Sequence, residues 1–229
     1  MSTNTDGSGI GYKKDGLLSF IKGFRLVHEI VKTINDLNLG IDDELLIHHR
    51  TGTSGFKNDI NMHPFLVSDK HDILKTTSMY NIKDTPLMAH NGVFHMFTDR
   101  NSDMNDTMHF VRDYMSTPQL ISLLKESPAK FERICKSTLN SAKLAFLFPD
   151  KDAVMIGNFT EDNGYFHSND GYKKHIFDFG ERSSKSQHVF HQNGKAQIFN
   201  YDNQQFEDIE DDELDVHRDN HMEVYRGID

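Results

Sequence analysis

The N-terminal part of the chain alternates short apolar runs with turn signals. GIGYKK (9–14) and LLSFI (17–21) have the residue types of strands, and Asp15-Gly16 between them favours a hairpin turn. In FRLVHEIVKTINDL (24–37) apolar residues recur at helical spacing, and Gly40 follows as a stop signal. The pattern predicts a β-hairpin followed by a helix.

Two more strands are predicted where ELLIHHR (44–50) and PLMAH (86–90) form apolar runs. The first leads into the Gly/Ser/Thr-rich stretch TGTSG, and the second is closed by Asn91-Gly92. Taken alone, Asn91-Gly92 favours a type I′ hairpin turn.

Helical patterns dominate the region that follows. Three helices are predicted, at about 105–116, 118–126 and 128–141. AFLF (145–148) and AVMIG (153–157) predict a second hairpin, and another strand is predicted near 164–168. Early strands with helices between them and a late helical block indicate an α+β or α/β fold with mixed or antiparallel sheets.

The C-terminal part is polar. Beyond about residue 178 the periodicity fades, with one weak strand at AQIFNY (196–201), and FEDIEDDELD (206–215) is an acidic run of the kind that stays solvated. We therefore predict one domain over residues 1–178 and a polar, acidic, partly disordered tail over residues 179–229.

Composition narrows the classes of function. The 229 residues suffice for one ordinary domain, and the formal net charge of −10 argues against a general nucleic-acid-binding surface. No stretch approaches the roughly 18 apolar residues of a membrane helix, and the N-terminus has no secretory signal. The single cysteine, Cys135, fits a reducing cytoplasm. We expect no membrane partner.

The chain has 14 histidines, and by themselves they can be ordinary polar residues. A metal site requires closer spacing, such as two histidines four apart on a helix with a third ligand. His188-x-x-His191 is the nearest approach to such a pattern, in low-complexity sequence. We predict no metal site and no cofactor.

Six motifs become informative when they are taken in order along the chain. They are NTDGSGIGY, H-x-R-x-x-T-x-G, N-x-HPF, AHNG, NDT and GYFHSNDGY. This series, from Asn4 to about Tyr172, resembles the class II glutamine amidotransferases, in particular the short stand-alone forms common in bacteriophage genomes. The resemblance implies an α+β fold of the N-terminal-nucleophile type, a four-layer αββα sandwich.

The resemblance also implies an activity: glutamine binds and its amide is hydrolysed to ammonia, which a partner acceptor synthetase uses. The location implied is the cytoplasm, that of the host if the protein is phage-encoded. Some 50 polar residues after Tyr172 cannot form a synthetase domain, so an acceptor would be a separate partner protein.

Residue roles follow from the same resemblance. Arg50 would bind the substrate α-carboxylate, because a planar guanidinium suits bidentate recognition, and Thr53 would add a hydroxyl. Asp106 would bind the α-ammonium group. Asn91, through its side-chain amide, and Gly92, through its backbone N–H, would form an oxyanion hole. The residues expected to brace the pocket are His48, His63, His90, Asp6, Gly7 and the pair Ser168-Asn169.

The nucleophile is missing from this series. The family uses a cysteine directly after the initiator Met, whereas residue 2 here is serine. Ser2 lies only two residues before the Asn4 motif, which argues against it as the nucleophile, and Cys135 lies in the helical stretch FERICKSTL, where we expect it to be packed. Two interpretations stay open: an amidotransferase shown without its first strand and helix, or an inactive relative that retains a binding pocket. In either case this chain is expected not to hydrolyse glutamine at an enzymatic rate.

Overall fold

A computed structural model describes residues 6–40, 42–50, 58–99, 101–169, 189–192, 195–200 and 205–209. The chain divides into two compact units, Met1–Ser168 and Asn169–Asp229. The predicted boundary at residue 178 lies outside the described residues.

The first unit is built from ten strands and five α-helices in its described part. The strands are β1 (Ser8–Lys14), β2 (Leu17–Phe24), β3 (Glu44–His49), β4 (Phe65–Leu66), β5 (Ser78–Ile82), β6 (Leu87–Asn91), β7 (Lys143–Leu147), β8 (Val154–Ile156), β9 (Thr160–Asp162) and β10 (Tyr165–His167). The helices are α1 (Val27–Asp36), α2 (His71–Leu74), α3 (Asp106–Phe110), α4 (Pro118–Glu126) and α5 (Pro128–Leu139). Short 3₁₀ turns occupy Asp59–Asn61 and His95–Phe97, and α3 continues as a π-helical turn over Val111–Met115.

Two four-stranded antiparallel sheets carry this unit. The first sheet has the order β3-β1-β2-β5, and the second has the order β4-β6-β7-β8. β9 and β10 form a separate antiparallel pair. The expected α+β class with antiparallel sheets is therefore confirmed.

The alternating pattern GIGY explains how the two faces of β1 contact different parts of the first unit. Ile10 and Tyr12 point to one side, where they cluster with Ile30 of α1. Gly11 points to the other side, where a β-carbon would lie 3.0 Å from Leu87 Cδ1 and from Pro64 Cγ. A small residue at position 11 thus lets the first sheet approach the second closely.

Apolar side chains of both sheets meet in one cluster, composed of Leu18, Phe20, Leu66, Ile82, Leu87 and Leu147. The other side of the second sheet packs against the late helices, through buried residues such as Phe131 of α5 and Phe146 of β7. This larger cluster also contains Cys135, which is fully buried and whose Sγ accepts a hydrogen bond from Tyr114 Oη at 3.5 Å. Cys135 is a core residue, as the helical pattern indicated.

Most predicted elements of this unit are present, including both hairpins, the helix after the first hairpin, the three late helices and the strand near 164–168. The hairpin turn that Asn91-Gly92 favours when taken alone does not form: β6 ends at Asn91, and its antiparallel neighbours are β4 and β7. Both of these neighbours are distant in sequence, so no tight turn forms there.

The second unit contains a three-stranded antiparallel sheet. Its strands, in the order β11-β12-β13, are β11 (Val189–Gln192), β12 (Lys195–Asn200) and β13 (Gln205–Ile209). The weak strand predicted at 196–201 corresponds to β12, whereas β11 and β13 were not predicted. Partial disorder of the tail over 179–229 stays a prediction, since most of that range lies outside the described residues.

Candidate functional site

The ends of β3 and β1 bring Arg50 into the interior. Arg50 directly follows β3, and its backbone N–H donates to the carbonyl of Gly7 at 2.9 Å, which continues the ladder between the two strands. Next to it, Ser8 Oγ and His49 Nδ1 lie 2.7 Å apart. Arg50 is only 3% exposed, so this pairing fixes a buried guanidinium at the strand end.

Asp106 is held in place by the start of α3. The helix is capped by Asn105, whose side-chain oxygen accepts a hydrogen bond from Met108 N–H at 2.8 Å. Asp106 is the first helical residue and is 5% exposed, and its Oδ2 accepts a hydrogen bond from Phe94 N–H at 2.7 Å. A carboxylate at this position is favoured by the helix dipole.

Two asparagines tie the start of α3 to the turn before β4. Asn105 N–H donates to Asn61 Oδ1 at 2.8 Å, and Asn105 Nδ2 donates to the Asn61 carbonyl at 2.9 Å. Asn61 Nδ2 donates in turn to the carbonyl of Asp103 at 2.9 Å. Asn61 is the asparagine of N-x-HPF, so this motif helps to hold the start of α3, where Asp106 lies.

Arg50 and Asp106 influence each other electrostatically. Burial lowers the pKa of Arg50, while the carboxylates of Asp6 and Asp106 raise it. The structure therefore brings a buried cation, Arg50, and a buried anion, Asp106, into one region, with Asp6 as a second nearby acid.

Asn91 and Gly92 follow the end of β6. Asn91 Nδ2 donates to Ser168 Oγ at 2.7 Å, so Ser168, one of the residues expected to brace the pocket, contacts the side-chain amide of Asn91. Gly92 has a φ of 142°, and a β-carbon there would lie 2.9 Å from His90 Nε2 and 3.2 Å from Ala142 Cα. Only glycine fits this position without displacing its neighbours.

Three histidines lie together near these residues: His63 and His90, which are buried, and His48, which is half-buried. The rings of His48 and His63 have centroids 4.1 Å apart, and the ring of His90 stacks on Phe94 at 3.9 Å. His48 Nε2 donates to the carbonyl of His90 at 3.0 Å, which links β3 to β6. These contacts connect the end of β3 with β6 and with the turn before β4.

Burial keeps these histidines neutral. Desolvation lowers the pKa of His48 from 6.5 to about 4, and it is also the largest cause that lowers the pKa of His90 to about 4, with Asp106 raising the latter. The pKa of His63 lies well below its usual value, first through burial and then through the neighbouring imidazoles and the charges of Lys22 and Arg50. At neutral pH the three rings are hydrogen-bonding groups without charge.

Sequence reasoning missed Thr107 and Lys22. Thr107 Oγ1 lies 2.9 Å from His90 Nδ1 and 3.3 Å from His63 Nε2. Its only signal was its position in the NDT motif. Lys22 is buried and follows Leu18 and Phe20 at every second position of β2, so the strand alternation could have indicated that it faces inward.

Some predicted site residues lie outside the described part of the chain. They are Thr53, the hydroxyl expected beside Arg50, and Ser2, the weakly supported nucleophile. Of the bracing residues, Asp6 and Gly7 lie at the start of β1, next to Arg50. Among described residues, Cys135 is the one cysteine, and it lies fully buried in the larger apolar cluster.

Within the described ranges, no group of three or more His, Cys, Asp and Glu side chains is arranged to hold a metal ion. None of the described helices has the length and apolar character needed to cross a bilayer. A scan against models of protein families found no match to this chain, and a search of curated proteins found none either.

Proposed function

We propose that this chain is a glutamine-binding domain of the class II amidotransferase type. The observation that carries the proposal is the buried pair Arg50 and Asp106, a cation and an anion at adjoining element ends. A free α-amino acid has one carboxylate and one ammonium group, which such a pair complements. Asn91 and Gly92, at the end of β6, would face the side-chain amide.

The packing of the first unit supports an αββα layering. α1 lies against the first sheet through Ile30, the two sheets share an apolar cluster, and the late helices cover the second sheet. Arg50 and Asn91 then lie at strand ends of the two sheets, and Asp106 lies at the start of α3.

Binding without hydrolysis is the activity that we propose for this chain. Cys135 is packed among apolar residues of α5 and its neighbours, so it is not a nucleophile for a ligand at Arg50. The oxyanion donors alone would leave an effect over water of about 10³ at most. In the family, the ammonia released from glutamine passes to an acceptor synthetase. A partner of that kind would need ammonia, which only a chain with an active nucleophile releases.

Calorimetric titration with glutamine tests the binding proposal. Arg50→Ala is expected to weaken binding by roughly 2 kcal/mol or more, because the ligand carboxylate loses charged hydrogen bonds. Arg112→Ala is the control, since Arg112 pairs with Asp113 on the surface and should leave binding unchanged. Equal affinity of the wild type and Arg50→Ala, or no binding by the wild type, rejects the proposal.

Ammonia release from glutamine tests the second part. The wild-type chain and Cys135→Ser are both expected to release ammonia far below an enzymatic rate, at most about 10³ times faster than the uncatalysed reaction. Rapid turnover that Ser2→Ala abolishes would make Ser2 the nucleophile and the chain an active enzyme.

A further inference from the structure

The hydroxyl of Thr107 lies between two buried imidazoles, 2.9 Å from His90 Nδ1 and 3.3 Å from His63 Nε2. A hydroxyl has a single hydrogen, and the described contacts of Thr107 Oγ1 offer no acceptor besides these two rings, so it donates to one ring and accepts from the other. The protonation of each ring is therefore set by the direction of one hydroxyl.

The tautomer of the third ring is fixed separately. His48 Nε2 lies 3.0 Å from the carbonyl oxygen of His90. A carbonyl oxygen only accepts, so His48 carries its hydrogen on Nε2. His48 thus serves as an internal reference for the other two.

Two arrangements are open to Thr107. If it donates to His90 Nδ1, then His90 carries its hydrogen on Nε2 and His63 donates from Nε2. If it donates to His63 Nε2, then His63 carries its hydrogen on Nδ1. Both His90 Nε2 and His63 Nδ1 are buried and have no hydrogen-bond partner among the described residues. Each arrangement therefore leaves one buried N–H without a protein acceptor.

The two contact distances favour the first arrangement. The contact between Thr107 Oγ1 and His90 Nδ1, at 2.9 Å, is the shorter one and suits a hydroxyl that donates to a ring nitrogen. The contact of 3.3 Å to His63 Nε2 suits a ring N–H that donates to the hydroxyl.

The His90 nitrogen that has no hydrogen-bond partner among the described residues, Nε2, lies next to Gly92. A β-carbon on Gly92 would be only 2.9 Å from His90 Nε2, so this ring edge faces the side of Gly92 on which a side chain would project. We infer that Thr107 and His63 are positioning residues that hold the His90 Nε2–H against Gly92, where its dipole stabilises the amide oxygen of a ligand bound at Asn91 and Gly92. The role toward a ligand rests on the proposed function, whereas the tautomer of His90 does not.

NMR spectra of the chain with ¹⁵N-labelled histidine test the tautomer. At neutral pH, His48 and His90 are both expected to carry hydrogen on Nε2, with His90 Nδ1 at the chemical shift of a hydrogen-bonded acceptor. Thr107→Val should move the His90 Nδ1 resonance toward a free acceptor and leave His48 unchanged, while Thr107→Ser should resemble the wild type. A wild-type His90 with hydrogen on Nδ1 overturns the inference, whatever binds.

Binding of two amino acids tests the role. Norvaline has the α-groups of glutamine and a similar length but no amide. Thr107→Val is expected to weaken glutamine binding about fivefold, the effect of losing roughly one uncharged hydrogen bond, and to leave norvaline binding unchanged. The control is Thr33→Val in α1, where the lost hydrogen bond, to the carbonyl of Glu29 at 2.8 Å, is remote from the site.

The outcomes separate the two ideas. If the wild type binds neither amino acid, the proposed function fails and the NMR result still decides the tautomer. If Thr107→Val weakens glutamine and norvaline equally, Thr107 acts through the fold alone and the positioning role is rejected.

Discussion

Lys22 places an ammonium group in the interior, against the faces of Phe65 and Phe20, whose ring centroids lie 4.1 Å and 5.3 Å away. Among the described residues, the ammonium group donates one hydrogen bond, to the carbonyl of Ile60, which is long at 3.4 Å. No described carboxylate pairs with this ammonium group. Burial lowers its pKa from 10.5 to about 7. Cation–π contacts offset only part of that desolvation.

Lys22→Met is therefore expected to stabilise the chain at pH 7, by roughly 2 kcal/mol, since each pKa unit corresponds to about 1.4 kcal/mol and repacking recovers only part of it. In the unfolded chain Lys22 stays protonated up to its ordinary pKa of 10.5, whereas in the folded chain it loses its proton above about pH 7. The stability of the wild type therefore rises between pH 7 and pH 10.5, and the stabilisation by Lys22→Met becomes smaller. Urea unfolding at pH 7 and pH 9 measures both. The exposed Lys32→Met is the control, and a destabilised Lys22→Met would contradict the prediction.

The three histidines of the site lower the stability of the folded chain at acidic pH. Their pKa values fall from 6.5 in the unfolded chain to about 4 for His48 and His90, so the folded state binds fewer protons in between. Stability is fully present above about pH 6.5 and falls as the pH drops toward 4. Between pH 7 and pH 5 the loss is expected to be roughly 2 kcal/mol for each ring.

Chemical unfolding at those two pH values measures the loss. The exposed His28→Asn should retain it, and His48→Asn should reduce it. A free energy of unfolding that stays constant from pH 7 to pH 5 would show that the rings are not buried in neutral form.

Single residues of the candidate site were predictable where a charge or a glycine stands in a motif. Arg50, Asp106 and Gly92 are buried or sterically required, as their positions suggested. Thr107 could not be assigned, because its role depends on two rings brought from β6 and from the turn before β4. Partners of that kind are set by the packing of distant segments, which a local pattern does not encode.

Elements were predictable where a period or a turn residue was local. The hairpin at Asp15-Gly16 and the helices opened by Pro118 and Pro128 follow from such signals. β4 has only two residues, and the edge strand β5 is largely exposed, so neither shows a clear alternation. Asn91-Gly92 alone favours a hairpin turn, but its glycine is required by the close approach of His90 and Ala142 instead.

Gly92→Ala tests that close approach. The added methyl would meet His90 Nε2 at 2.9 Å and Ala142 Cα at 3.2 Å, on a backbone with φ of 142°. We expect thermal unfolding to show a loss of roughly 2–4 kcal/mol, combining strain and overpacking. Gly164→Ala is the matched control, because φ there is also positive but nothing lies within 4 Å of the new methyl. Equal losses in the two variants would remove the steric argument.

At the scale of the whole molecule, the division after Ser168 separates a unit rich in apolar clusters from one whose sequence is polar. The three strands of the second unit were mostly not predicted, since Ser, Gln, Asn and Asp interrupt any alternation there. Backbone pairing alone defines the sheet in its described residues. The acidic run at 206–215 begins within β13 and continues beyond the described residues.

Amide hydrogen exchange is expected to rank the strands by pairing. β6 and β7, paired on both sides and buried, should exchange most slowly in the first unit. In the second unit β12 should exchange more slowly than β11 and β13, which pair on one side only. Mass-spectrometric exchange on the full chain measures this order. Strong protection across all of 205–216 would contradict the prediction of a solvated acidic run.

The double link between Asn61 and Asn105 has a consequence for how such chains can diverge. Each asparagine satisfies groups of the other, and both are buried. Replacing one alone would strand polar atoms of its partner in the interior. Among related chains, these two positions are therefore expected to vary together or not at all, and an isolated replacement at either should be tolerated only where a third residue has taken over the abandoned bonds.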